Sequence, residues 1–114
     1  MSYSEEVMKR QQAYEQAIAQ KLKEDMEAEL IDAIIDKYGI QAQVMQLGEE
    51  MSELFVAISH AMRGRCKNNE QIKEEIADVI FMLHQMERFF GIYPHEITQI
   101  IEKKKQRMIE RLTR

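Results

Sequence analysis

The chain contains little of what many folds and many kinds of site require. Its 114 residues include one cysteine, one proline, four glycines, eight aromatic residues and no tryptophan. A single cysteine excludes an intrachain disulfide, and so few aromatic residues argue against a β-sandwich or a β-barrel. Proline and glycine most often interrupt regular structure, so their scarcity indicates long, continuous elements.

Excess positive charge and long apolar runs are also missing. A formal net charge of −4 offers no general basic surface to a nucleic-acid polymer. No run approaches the length of a membrane span, and residues 1–6 have neither the basic nor the apolar part of a signal peptide. We therefore expect a cytoplasmic protein that binds neither membranes nor nucleic-acid polymers, with Cys66 as an incidental free thiol.

Helical periodicity is the dominant pattern that is present. Apolar residues recur every four positions from Tyr14 to Tyr38, which predicts a long first helix. Ser2 and Glu5 have the spacing of a capping box at its start. Gly39 is expected to end it in the left-handed conformation.

Three further stripes with three-and-four spacing predict helices over about 41–63, from the cap at Asn68 to about 90, and over 94–114. Asn68 with Gln71 is expected to cap the third helix, and Pro94 to begin the fourth. No segment alternates as a strand does. The sequence therefore predicts an all-α fold of four main helices in a bundle-like arrangement, with an N-terminal helical extension over 1–28 and a second domain over 29–114.

Two acidic pairs, Glu50/Glu53 and Glu75/Asp78, are the candidates for a functional site. Spacing alone is uninformative, because twenty acidic residues give about three i,i+3 pairs by chance and the chain has four. Their setting differs from that of the other pairs. Glu75 and Asp78 lie about 60° and 120° from the centre of an apolar stripe, at the predicted margin of a buried face, and Glu50 borders the stripe of the second helix.

Carboxylates at a core margin are costly unless a positive group meets them. If the two pairs converge, a divalent cation would compensate their charge, and Mg²⁺ prefers oxygen ligands. The alternative is that all four are ordinary solvated helix charges. A ferritin-like di-iron site needs Glu-x-x-His, which none of the three histidines provides.

These pairs and their surroundings resemble the MazG-like all-α nucleoside triphosphate pyrophosphohydrolases. Glu-x-x-Glu on one helix is followed, about two dozen residues later, by Glu-x-x-Asp on the next. The resemblance covers about residues 30–112. It is carried by the following stretches: Gln43, Leu47–Leu54, Glu74–Leu83, Gly91–Ile92, Lys104 and Arg111.

The resemblance implies Mg²⁺-dependent hydrolysis of a nucleoside triphosphate to the monophosphate and pyrophosphate, by attack of a metal-activated water at the α-phosphorus. It assigns metal binding to Glu50, Glu53, Glu75 and Asp78. Catalytic roles fall to Glu49, Glu50 and Glu53, with Glu74 as a further candidate near the metal. Substrate binding falls to Gln43, Lys104, Arg107 and Arg111. Met108 stands where family members often carry an asparagine, which departs from the family's phosphate-binding pattern.

Three alternatives remain open at this point. The chain could act on phosphoribosyl-ATP in histidine synthesis, resemble the dimeric enzymes specific for dUTP or dCTP, or be a helical interaction module without activity. A homo-oligomer, dimeric or tetrameric, is expected because four helices with broad apolar stripes leave apolar surface exposed in a monomer.

Overall fold

The computed structural model describes residues 2–65 and 69–114, which form four helices. They are α1 (Tyr3–Tyr38), α2 (Ile40–Met62), α3 (Glu70–Phe90) and α4 (Pro94–Leu112). No strand occurs in these two ranges, so the all-α prediction with four main helices is confirmed. The predicted cap at Asn68 and the expectation for Cys66 concern residues outside the described ranges.

The chain divides into two compact units, Met1–Lys37 and Tyr38–Arg114. The predicted boundary at residues 28/29 follows the extent of the sequence motif, whereas the units divide nearer the glycine after α1. Gly39 has φ +85° and ψ 150°. The glycine ends α1 as expected, but its ψ differs from that of the predicted left-handed helical conformation. Residues with a side chain rarely adopt a positive φ, so the end of α1 depends on this glycine.

The first unit consists of most of the long helix α1. Its start has the predicted capping box: the Glu5 backbone N–H donates to Ser2 Oγ at 3.3 Å, and the Ser2 N–H donates to Glu5 Oε2 at 3.4 Å. Ile31 is buried, whereas Tyr14, Ile18 and Leu22 are exposed. Apolar residues spaced by four advance about 40° around a helix at each step, so this stripe winds around α1 and presents no single straight face.

The second unit is built on α2 and α3, which pack against each other along their lengths. Their covered residues repeat with the alternating three-and-four spacing of a coiled-coil seam. On α2 the seam contains Gln43, Leu47, Glu50, Leu54 and Ala57, and on α3 it contains Ile72, Glu75, Val79, Met82 and Met86. We refer to these residues as the α2–α3 seam.

The buried side of α3 is rotated from the predicted apolar stripe toward Met82, although Ile72, Val79 and Met86 belong to both. Met82 is 5% exposed, but Ile76 and Leu83, from the predicted stripe, are 41% and 44% exposed. Glu75 and Asp78 lie only about 20° and 40° around the helix from Met82. Asp78 is exposed and keeps the expected position at the margin of the buried face, whereas Glu75 is partly buried and lies further into that face.

The fourth helix follows Gly91, which ends α3 with φ +66°, and Pro94, which is the first residue of α4. The Glu96 carboxylate accepts a hydrogen bond from the Tyr93 backbone N–H at 3.0 Å. All residues of α4 are exposed, including its apolar stripe. Across both described ranges, no helix combines the length and the apolar character needed to cross a bilayer.

Candidate metal centre

Three carboxylates meet at the α2–α3 seam, two from seam residues and one from a residue beside it. One side-chain oxygen each of Glu50, Glu75 and Asp78 lies within 4.8 Å of the other two. Glu50 comes from α2, whereas Glu75 and Asp78 lie one turn apart on α3. We call these three residues the carboxylate trio. The packing of the two helices thus brings together three of the four residues predicted to bind metal.

Burial makes this cluster unlike a surface patch of acids. Glu50 and Glu75 are partly buried, and Asp78 is exposed. In the described part of the chain, Glu50 Oε2 and Glu75 Oε2 are the buried side-chain oxygens without a hydrogen-bond partner. A buried oxygen in this condition is costly unless a donor or a cation approaches it. These two atoms fit a cation, because both belong to a group of carboxylates with converging negative charge.

Glu53, the fourth predicted ligand, borders the carboxylate trio and is exposed. The negative charge of Glu50 raises the pKa of Glu53 above its ordinary value of 4.5, with smaller contributions from desolvation, from the charge of Glu75 and from hydrogen bonds to both carboxyl groups. Its carboxyl group is therefore close enough to Glu50 and Glu75 to interact with the same positive charge.

Three glutamines in or beside the seam support this arrangement. Gln46 Nε2 donates to Glu50 Oε1 at 2.7 Å, one turn apart on α2. Gln43 Nε2 donates to Gln85 Oε1 at 2.7 Å, which joins α2 to α3. Gln85 is 2% exposed and its Nε2 donates to the sulfur of Met82 at 3.6 Å. The apolar periodicity identifies neither Gln46 nor Gln85. The signal for Gln85 is its position one helical turn after Met82, on the same side of α3.

The remaining predicted site residues lie outside this cluster. Glu49 and Glu74 are exposed neighbours of Glu50 and Glu75. Gln43, predicted to bind substrate, is 9% exposed and its amide group donates to Gln85. Lys104, Arg107 and Arg111 are exposed along α4, and their contact with phosphate stays a prediction.

The carboxylate trio provides the oxygen ligands that hard divalent cations require. Carboxylate oxygens are the preferred ligands of Mg²⁺ and Ca²⁺, and Mg²⁺ usually keeps several waters beside one or two carboxylates. Ligands from both helices would also join α2 to α3. No protein-family model, no curated protein and no solved structure matches the chain.

Proposed function

We propose that the chain hydrolyses a nucleoside triphosphate to the nucleoside monophosphate and pyrophosphate with Mg²⁺ as cofactor. The observation that carries the proposal is the carboxylate trio with its two buried, unpartnered oxygens. A divalent cation is the group that would satisfy both oxygens and offset the mutual repulsion. The choice of Mg²⁺ and of a triphosphate substrate comes from the resemblance to MazG-like pyrophosphohydrolases.

The proposed reaction divides the roles among these residues. Glu50, Glu75 and Asp78 would hold the cation, which supplies charge neutralisation of the triphosphate and a lowered pKa for a bound water. Glu53 lies beside the trio with an exposed carboxyl group, where it can accept the proton of the attacking water. Glu49 or Glu74 could orient that water.

The bond changes follow from this assignment. The water oxygen bonds to the α-phosphorus, and the bond from that phosphorus to the bridging oxygen of the β-phosphate breaks. Pyrophosphate leaves with the electron pair, and its charge is offset by Lys104, Arg107 and Arg111.

The proposal includes a homo-oligomer in the cytoplasm. Apolar side chains on the faces of α2 and α3 outside the seam are widely exposed, including Phe55 at 74%, Met62 at 84% and Phe90 at 63%. Monomeric proteins rarely expose contiguous apolar surface of this kind, and the resemblance implies dimers or dimers of dimers. Light scattering coupled to gel filtration would measure the mass, and a monomer at micromolar concentration would refute this part.

A panel of ribo- and deoxyribonucleoside triphosphates with Mg²⁺, together with phosphoribosyl-ATP, tests the activity. Released pyrophosphate is separated from orthophosphate, and wild type is compared with Glu53→Gln and Asp78→Asn. Glu15→Gln is the control, because it removes one negative charge from an exposed part of α1, away from the carboxylate trio in the sequence. No pyrophosphate from the wild type, or full activity in both site variants, would refute the proposal.

Activity restricted to phosphoribosyl-ATP would instead assign the chain to histidine synthesis. Activity restricted to dUTP or dCTP would indicate the dimeric relatives. A protein that neither hydrolyses any substrate nor gains thermal stability from a divalent cation would be an interaction module.

A further inference from the structure

The hydrogen bond between Gln43 and Gln85 forms in the same alignment of α2 and α3 that brings the carboxylate trio together. On α2, Glu50 lies seven residues after Gln43, and on α3, Asp78 lies seven residues before Gln85. Three more residues in each direction lead to Glu53 and Glu75. In two antiparallel helices such matched steps place the paired residues opposite each other. The amide pair and the carboxylates thus belong to one alignment of the helices, about 10 Å apart along the seam.

The apolar part of the seam does not select this alignment by itself. Hydrophobic burial is non-directional, so side chains such as Leu47, Leu54 and Val79 can pack in shifted or rotated alignments. The carboxylate trio opposes the observed alignment, because facing carboxylates repel each other whenever no cation is bound. A shift of one helical turn, about 5.4 Å, exceeds the 4.8 Å spread of the trio.

The amide pair favours the observed alignment strongly. Gln43 and Gln85 are 9% and 2% exposed and are bonded at 2.7 Å. A shifted alignment would leave buried amide groups without this bond, and a buried polar group that has lost its partner is costly. Single buried polar residues are known to specify register in coiled coils in the same way, at some cost in stability.

We propose that Gln43 and Gln85 are positioning residues, which hold α2 and α3 in the alignment that brings Glu50, Glu75 and Asp78 together before a cation arrives. This inference deepens the proposed function and depends on it only for the cation. It assigns Gln43 a role between the helices rather than contact with the substrate.

The test replaces both amides at once with Gln43→Met/Gln85→Met. Methionine has a similar length and no branch, so the core volume is kept while the buried polar groups are removed together. Removing both partners of a buried bond is nearly neutral or stabilising, so the melting temperature in EDTA should equal or exceed that of wild type. The matched control is Gln11→Met/Gln20→Met, which removes two exposed amides on α1.

Two measurements then separate positioning from a purely structural role. Isothermal titration with Mn²⁺ should show affinity at least tenfold weaker in the Gln43/Gln85 variant and unchanged in the control. Two spin labels, at Ala42→Cys and Gln71→Cys in a Cys66→Ser background, report the alignment of α2 and α3 without any metal. The distance between the labels is measured by double electron–electron resonance, with the labelled protein diluted in unlabelled protein. Wild type should give one narrow distance distribution, and the variant a broadened or shifted one.

The outcomes distinguish this inference from the proposed function. An unchanged distance distribution in the Gln43/Gln85 variant overturns the inference, as does a raised KM with unchanged Mn²⁺ affinity, which would place Gln43 at the substrate. If wild type binds no Mn²⁺, the proposed function fails, and the spin labels still decide whether the amides hold the alignment. Should the double variant be unfolded by circular dichroism, Gln43→Asn, which is too short for the bond, replaces it. The expectations for Mn²⁺ affinity and for the distance distribution are the same, but the melting temperature should fall because Gln85 loses its partner.

Discussion

Replacing Glu50 with glutamine should stabilise the protein without metal and remove its response to metal. The nearest oxygens of Glu50, Glu75 and Asp78 lie within 4.8 Å of one another. Two full charges at that distance repel by about 0.9 kcal/mol in water and about 3.5 kcal/mol at an effective dielectric constant of about 20. Glu50 is partly buried, so the relief from each lost repulsion falls between these limits.

Glutamine also suits the hydrogen bonds around position 50. Its carbonyl oxygen can still accept the bond that Gln46 Nε2 makes to Glu50 Oε1. Its amide nitrogen would take the place of Oε2, which has no partner in the described part of the chain, and could donate to the facing carboxylates. We expect Glu50→Gln to gain about 1–3 kcal/mol in EDTA, or at least about 4 °C in melting temperature.

Added cation should stabilise wild type but not Glu50→Gln. Mn²⁺ or Mg²⁺ at about 100 times its dissociation constant stabilises a folded protein by about 2.7 kcal/mol, so wild type should melt at higher temperature with metal. Glu50→Gln should show little or no shift. Differential scanning fluorimetry at one protein concentration measures both effects.

Glu15→Gln is the control for the Glu50 experiment. Glu15 accepts from Gln11 Nε2 at 3.1 Å on an exposed part of α1, so the same charge is lost outside the trio. Its melting temperature and its metal response should match wild type. A lower melting temperature of Glu50→Gln in EDTA, or a metal shift as large as that of wild type, would refute the reasoning.

Four further expectations follow from single residues. The pKa of Glu53 is raised from 4.5, so the contribution of this carboxyl group to stability is present below pH 4.5 and is lost as pH rises. The unfolding free energy of Glu53→Gln, measured by urea titration in EDTA, should therefore increase relative to that of wild type as pH rises. A difference that stays constant with pH would contradict this. Gly48 lies inside α2 with open space where a Cβ would stand, so Gly48→Ala should add about 1 kcal/mol to the unfolding free energy, and a lower melting temperature would show a close neighbour. Met82 is 5% exposed, so Met82→Ala should cost about 2–5 kcal/mol in chemical denaturation, and a loss below that range would show that the seam collapses around the cavity. Lys104→Ala should raise KM for the triphosphate without changing the melting temperature, because the side chain is exposed; an equal effect of Lys103→Ala would indicate general charge attraction instead.

The positions of the helices were readable from local chemistry. Helix ends depend on hydrogen bonding and backbone conformation, which act over a few residues. They are marked in this chain by Ser2 with Glu5, by Gly39, by Gly91 and by Pro94. The predicted long first helix and the three that follow are accordingly confirmed.

The face that α3 buries was not readable in the same way. The apolar residues of α3 span a broad arc, with Ile76 and Leu83 on one side and Met82 on the other. Periodicity identifies the arc but does not say which part of it α2 covers. The prediction centred the buried face between Ile76 and Val79, whereas α2 covers the side that contains Gln85.

By itself, the sequence determined the helices and the pairing of acidic residues one turn apart, because both depend on spacing along one chain segment. Only the tertiary structure decided that Glu50 meets Glu75 and Asp78, that two of their oxygens are buried without partners, and that Gln43 bonds to Gln85. These properties depend on the alignment of two helices. Directional hydrogen bonds between buried groups select that alignment, whereas the spacing of apolar residues is compatible with several.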